Sequence, residues 1–182
     1  MNQSPAIRAD RAASDAAVRT RTVTWEDPLA AARAGASLSG IAFLRAVAQG
    51  QIPAPPIALL LGLDIDEVEE GRVVFTCEPD EYHYNPIGVV HGGLAATLLD
   101  SAMGCAVHSR LPQGRGYTTL EIKVNYVRAI TRESGRLRAI ASVVHMGGKI
   151  ATAEGRIVDA AGQIYAHATT TCILLGGSPG AG

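Results

Sequence analysis

The sequence lacks the spacings by which most proteins hold metals and nucleotides. Its three cysteines, Cys77, Cys105 and Cys172, are odd in number and form no CxxC pair. Each sits among apolar neighbours, as reduced and packed thiols do, so no disulfide framework is implied. The five histidines never fall at ligand spacing with a cysteine pair, and no metal site is expected. The phosphate-cradling patterns GxGxxG and GxxxxGK[ST] are both absent, which argues against a nucleotide-binding α/β fold. A formal net charge of -1 provides no global field for nucleic acid or an anionic membrane. The N-terminal part shows no basic recognition stripe and no helix-turn-helix. No apolar run reaches the ~20 residues of a membrane span. The N-terminus has arginines but no apolar h-region, and Asp10 and Asp15 argue against a transit peptide. The expectation is a soluble, cytoplasmic protein with no nucleic-acid or membrane partner.

Apolar side chains are plentiful: 47% of 182 residues are hydrophobic, enough for one domain with a sizeable core. Residues 1–23 show no apolar periodicity and are expected to be a disordered tail. Residues 24–54 read as a helical extension. Asp27 can cap a helix with Pro28 at its first position, running to about Ala34 with Gly35 as its stop. A second helix follows Ser37 or Ser39 and carries Ile41, Phe43, Leu44 and Val47 on one face up to Gly50. The domain itself should span residues 55–175, with 176–182 a flexible tail. There the period changes from about 3.6 to 2. Strands are predicted over Leu63–Val68, Arg72–Cys77, Thr118–Arg128, Arg136–Met146, Lys149–Val158 and Gln163–Leu175. Their short connections predict a meander of hairpins.

Between the second and third strands lies the stretch that carries chemistry, Tyr84 to Val107. Asn85-Pro86 and Gly88 form a turn, His91-Gly92-Gly93 follow, and Leu94 to Val107 read as a helix apolar all the way round. Amides at the mouth of a helix have no helical acceptor and face the positive end of its dipole, which suits an oxyanion. The same glycines also suit close packing. One formal charge, Asp100, sits in the apolar helix. An isolated buried carboxylate is costly, so it has either a structural donor or a catalytic task. Eight residues of helix advance ~12 Å. Gly92 and Asp100 of one chain therefore cannot reach the same carbonyl, and a site using both requires a two-fold dimer.

The run N-P-x-G-x-x-H-G-G, with an acidic residue seven positions further on in an apolar helix, resembles the hotdog-fold acyl-CoA thioesterases, the PaaI-like branch above all. The likeness extends from about Pro55 to Leu175. It implies an α+β hotdog fold: an antiparallel sheet of five or six strands wrapped around one long buried helix, here with an N-terminal helical extension. It also implies hydrolysis of a thioester to a free acid and CoA. No cofactor is implied, because coenzyme A is part of the substrate. By resemblance Gly92 matches the glycine whose amide polarises the thioester carbonyl. His91 and Asn85 support that loop, and Asp100 is the general base or nucleophile. Thr119 falls where relatives place a hydroxyl that positions water or the sulfur. Strict alternation, however, puts Thr119 on the face of Glu121 and Lys123, opposite Leu120 and Ile122. Only an irregular strand start would aim it at the site.

The resemblance places CoA near Gly93 and Tyr126 and against the hairpin containing His145, Gly147, Gly148 and Lys149. Relatives often carry a cation where this chain has Gly148. Lys149, Arg128 and Arg132 are the candidates to replace it. The family's habit implies a homodimer, with dimers pairing into a homotetramer. The acyl pocket should draw on the long helix and on Pro55–Leu61. Two other readings stand beside hydrolysis. One is a non-catalytic acyl-CoA binder. The other is an enoyl-CoA hydratase-type enzyme, disfavoured because Cys105 stands where such enzymes keep a histidine.

Overall fold

The period-two segments become six antiparallel strands, and the apolar run becomes the helix around which they curl. The structure, a computed structural model, describes residues 18–176. Most of both expected tails, residues 1–17 and 177–182, lies outside the described residues. In chain order the elements are α1 (Pro28–Gly35), α2 (Gly40–Ala48), α3 (Pro56–Leu61), β1 (Leu63–Glu69), β2 (Arg72–Cys77), α4 (Gly92–His108), β3 (Gly116–Tyr126), β4 (Leu137–Met146), β5 (Ile150–Val158) and β6 (Ile164–Leu175). The sheet order is β1-β2-β4-β5-β6-β3. This is the expected α+β arrangement of a six-stranded sheet around one helix.

The connectivity departs from a meander. The β1–β2, β4–β5 and β5–β6 pairs are hairpins, but β3 lies at the far edge, paired with β6, while β4 lies beside β2. Periodicity identifies strands, and only a short loop identifies neighbours. β3 ends at Tyr126, so the link to Leu137 is ten residues long, enough to leave the edge and cross.

α4 supplies the core. Its Leu94, Ala95, Leu98, Leu99, Ala102, Met103, Ala106 and Val107 are each at most 5% exposed. They pack against β2, β3, β4, β5 and β6. Each large apolar side chain so buried contributes ~1.5–3 kcal/mol. The helix is not enclosed all round, however. Gly93, Ala96, Thr97, Asp100, Ser101 and Cys105 remain partly exposed. Spaced by threes and fours, they form one face along the helix. Sequence hydropathy overlooked this face because Ala, Gly, Thr and Cys read as core.

The N-terminal helices cover one end of that face. Asp27 caps α1 by accepting from the Leu29 N–H at 2.9 Å, and Ser39 caps α2 through the Ala42 N–H at 3.4 Å. The Gly40 N–H donates to the Leu111 carbonyl at 2.9 Å, just past the end of α4. The approach is so close that a Cβ on Gly40 would sit 1.8 Å from the His108 carbonyl oxygen. The third helix, α3, went unread in the sequence. Pro56 occupies its first turn, and Gly62 ends it in the left-handed region at φ 65°. Within the stretch expected to be a tail, the Arg21 guanidinium donates to the Leu59 carbonyl at 3.0 Å and to that of Leu60, and stacks 4.1 Å over Tyr82.

Candidate active site

The loop before α4 is built by its own side chains. The Asn85 carboxamide oxygen accepts from the Ile87 N–H at 3.1 Å and from the Val89 N–H at 3.3 Å, turning the chain back on itself. Two backbone bonds fasten the loop to its surroundings: the His91 N–H to the His83 carbonyl at 2.8 Å, and the Val90 N–H to that of Ile130 at 2.9 Å. His83 is a pin. Its Nδ1 accepts from the Asp80 N–H at 3.0 Å, which leaves Nε2 to donate to the Leu61 carbonyl at 3.1 Å. Burial pushes its pKa below the ordinary value.

His91 caps α4, its Nδ1 accepting from the Gly93 N–H at 2.8 Å. The Gly93 amide is thereby occupied. The Gly92 N–H, at the first helical position, makes no hydrogen bond among the described residues. A donor is thus left at the positive end of a 17-residue helix. Tyr126 closes over it. Its hydroxyl donates to the Gly92 carbonyl at 3.2 Å, and a Cβ on Gly92 would lie 3.2 Å from the ring. Asn85, Val90, Gly92, Ala95, Tyr126 and Ile130 line a cavity of about 280 Å³.

Asp100 lies on the open face of α4, and the Thr119 hydroxyl donates to its Oδ1 at 2.9 Å. The irregularity that this contact requires is present. The β3–β6 register shifts between Thr119 and Glu121, a bulge that turns Leu120 outward to 56% exposure. The inner face therefore runs Tyr117, Thr119, then Ile122, Val124. Strict alternation had put Leu120 inside and Thr119 outside; one inserted residue reverses both. The neighbouring groups stay neutral. Burial, with the Asp100 charge adding to it, pushes the Cys105 thiol up to about 12 and raises Cys172 and Tyr117 as well. His108, at the end of α4, packs between Phe43 and Tyr117 at 5.5 and 5.6 Å, and burial pushes its pKa down.

The remaining candidates form a third group. In the β4–β5 hairpin the Gly147 N–H donates to the Ile150 carbonyl at 2.8 Å, and His145 and Lys149 are exposed. The Gly148 carbonyl accepts from Arg115 Nη2 at 3.1 Å, while Arg115 Nε is buried with no partner. Arg115 escaped the sequence reading because no spacing rule links it to a hairpin 33 residues away. Only the β3–β6–β5 register brings them together.

Tyr126 does not join this group. It lies at the opposite end of β3, roughly 30 Å off at ~3.4 Å per residue. One chain thus holds three clusters: the loop with Gly92, the Asp100–Thr119 pair ~12 Å further along α4, and the hairpin.

The Thioesterase superfamily model matches residues 87–166, from the loop to early β6. A Halobacterium salinarum protein that carries an esterase name is 34% identical over 118 residues, 62% of this chain and 76% of that one. The 1,4-dihydroxy-2-naphthoyl-CoA hydrolase of Listeria monocytogenes is 27% identical over 99 residues, 54% of this chain and 79% of its own length. The solved structure of the Escherichia coli PaaI protein from the phenylacetic acid degradation operon superposes with a TM-score of 0.66 at 26% identity, covering 78% of this chain and 99% of that one. The six-stranded sheet around α4 agrees with these likenesses. The chain belongs to the thioesterase superfamily, a PaaI-like thioester hydrolase on the hotdog fold.

Proposed function

We propose that the protein hydrolyses acyl-CoA at two equivalent sites, each shared across the two-fold axis of a homodimer. The observation that carries this reading is the Thr119–Asp100 hydrogen bond across the β3 bulge. It holds a lone carboxylate on the one face of α4 that its own sheet leaves uncovered. A second α4 lying antiparallel on that face brings each Asp100 opposite the partner subunit's Gly92. The free N–H of Gly92 then donates to the thioester oxygen as negative charge develops there. Asp100 either takes a proton from water or attacks the carbonyl to give a mixed anhydride that water opens. By either route the C–S bond breaks and the thiolate leaves as CoA. General-base attack puts water's oxygen in the acid, whereas opening the anhydride at the Asp100 carboxyl leaves water's oxygen on Asp100 and passes a carboxylate oxygen to the acid. Single-turnover hydrolysis in H2 18O, followed by mass analysis of Asp100, separates the two routes. The CoA phosphates are assigned to the β4–β5 hairpin, where Arg115 and Lys149 supply the charge that Gly148 lacks.

The test is thiol release from short-, medium- and long-chain, phenylacetyl and hydroxybenzoyl CoA esters, with Asp100→Asn alongside. Turnover of one class that Asp100→Asn abolishes without loss of fold is the expected result. Binding of CoA esters without turnover by the wild-type protein would overturn it in favour of a binding protein.

A further inference from the structure

A second cavity lies between the N-terminal helices and the β1–β2 edge, well apart from the Gly92 loop. It has a volume of about 320 Å³, within the size range of small-molecule sites. Its walls are Phe43, Leu44 and Val47 of α2, Ala31 of α1, Ile65 and Phe75 of the sheet. Asp64 is the one charged residue in its lining. The residue that α4 contributes is Cys105, on the same open face that carries Asp100. Five residues of helix separate the two, ~7.5 Å of rise, with the partly exposed Ser101 between them.

We infer that this cavity receives the acyl group of the substrate, which makes the preferred esters those of medium length or ending in a ring. The inference rests on the hydrolase reading of Asp100 and adds the substrate class to it. A thioester carbonyl held at Asp100 has its acyl carbon midway along the open face, which runs from Gly93 to Cys105. An apolar tail laid along Ser101 reaches Cys105 and enters the cavity. The lining rejects acyl groups with a distal charge, since nothing there pairs with a carboxylate and Asp64 repels one. An apolar cavity left empty costs stability, and an apolar occupant recovers that loss. Apart from Cys105, every wall residue lies before residue 87, outside the segment that matches the superfamily. The extension thus closes one side of the pocket, with Ala31, Phe43, Leu44 and Val47, against the β1–β2 edge and Cys105 on the other, and acyl selectivity depends on the extension as well as on the domain.

The experiment fills the cavity from two sides, with Val47→Phe on α2 and Ala31→Phe on α1. Neither residue belongs to the catalytic machinery. The wild type and both variants are assayed by thiol release from acetyl-, octanoyl- and phenylacetyl-CoA. Binding of free octanoate and acetate is measured by calorimetry. Both variants are expected to lose at least tenfold in kcat/KM on octanoyl-CoA, to stay within threefold on acetyl-CoA, and to lose octanoate binding. Equal loss on all esters, or none, overturns the assignment of the cavity. If the wild type cleaves no ester, the hydrolase reading fails on its own. Octanoate binding that Val47→Phe abolishes would still support the cavity, and absence of octanoate binding would refute it.

Discussion

Replacing Thr119 with valine removes one hydroxyl and almost nothing else. Valine keeps the branched shape, so β3 and its bulge retain their packing, while Asp100 Oδ1 loses the donor now 2.9 Å away. Hydrogen bonds to charged groups are worth ~1.5–3 kcal/mol. At ~1.4 kcal/mol per tenfold in rate, a loss of that size at the transition state lowers kcat by about 10- to 100-fold. KM should change little, because Thr119 acts on the carboxylate and not on CoA. Stability should also change little: Asp100 is only partly buried, so water can replace the missing donor. Steady-state thiol release reads the rate, and a thermal melt confirms the fold. Thr119→Ser, which restores the hydroxyl, should recover most of the activity. A Thr119→Val enzyme within threefold of wild type would refute the reasoning, as would a serine variant as impaired as the valine one.

Other consequences follow from the same geometry. Arg115→Ala should raise KM for CoA esters about tenfold, the loss of one charge-assisted phosphate contact. It should leave hydrolysis of a truncated thioester without the nucleotide unchanged, and equal effects on both esters would contradict the assignment. Gly104→Ala puts a Cβ 2.7 Å from the Tyr117 hydroxyl, and overpacking of this kind costs ~1–3 kcal/mol, visible as a lowered melting temperature. His83 and His108 are both held below their ordinary pKa by burial. Their neutral forms stabilise the fold fully above the unfolded value of about 6.5, and that contribution declines as pH falls through the lower folded values. Denaturant melts from pH 7.5 to 5 should show the decline, with a shallower slope in His108→Phe; an unchanged slope would remove His108 from the account.

Most of the fold was legible because hydrophobic periods report burial directly. The Arg72–Cys77 strand and the Gly92–His108 helix come out almost residue for residue. What was hidden depends on partners distant in sequence. Thr119 faces Asp100 because of a bulge set by pairing with β6, and no pattern inside Gly116–Tyr126 announces it. The open face of α4 was invisible because its small residues score as apolar whether or not anything covers them. Arg115 meets Gly148 only through the order of three strands. Nothing near His83 in the sequence announces its role, which rests on the Leu61 carbonyl, 22 residues back.

In the proposed dimer, Asp100 of one subunit works with the partner subunit's Gly92. Two inactive variants test it directly. Asp100→Asn removes the carboxylate. Gly92→Pro removes the N–H at a first helical position, where proline is tolerated. The preceding His91 is already extended at φ −61° and ψ 132°, as a residue before proline must be. Each variant alone should be inactive. When the two are unfolded together and refolded as an equal mixture, half the dimers are mixed. Each mixed dimer joins an intact Asp100 from one chain to an intact Gly92 from the other at one of its two sites. Recovery of about a quarter of the wild-type rate is the expected result for a shared two-fold site. A mixture as inactive as its components would contradict it, because a site contained within one chain would be damaged in every subunit.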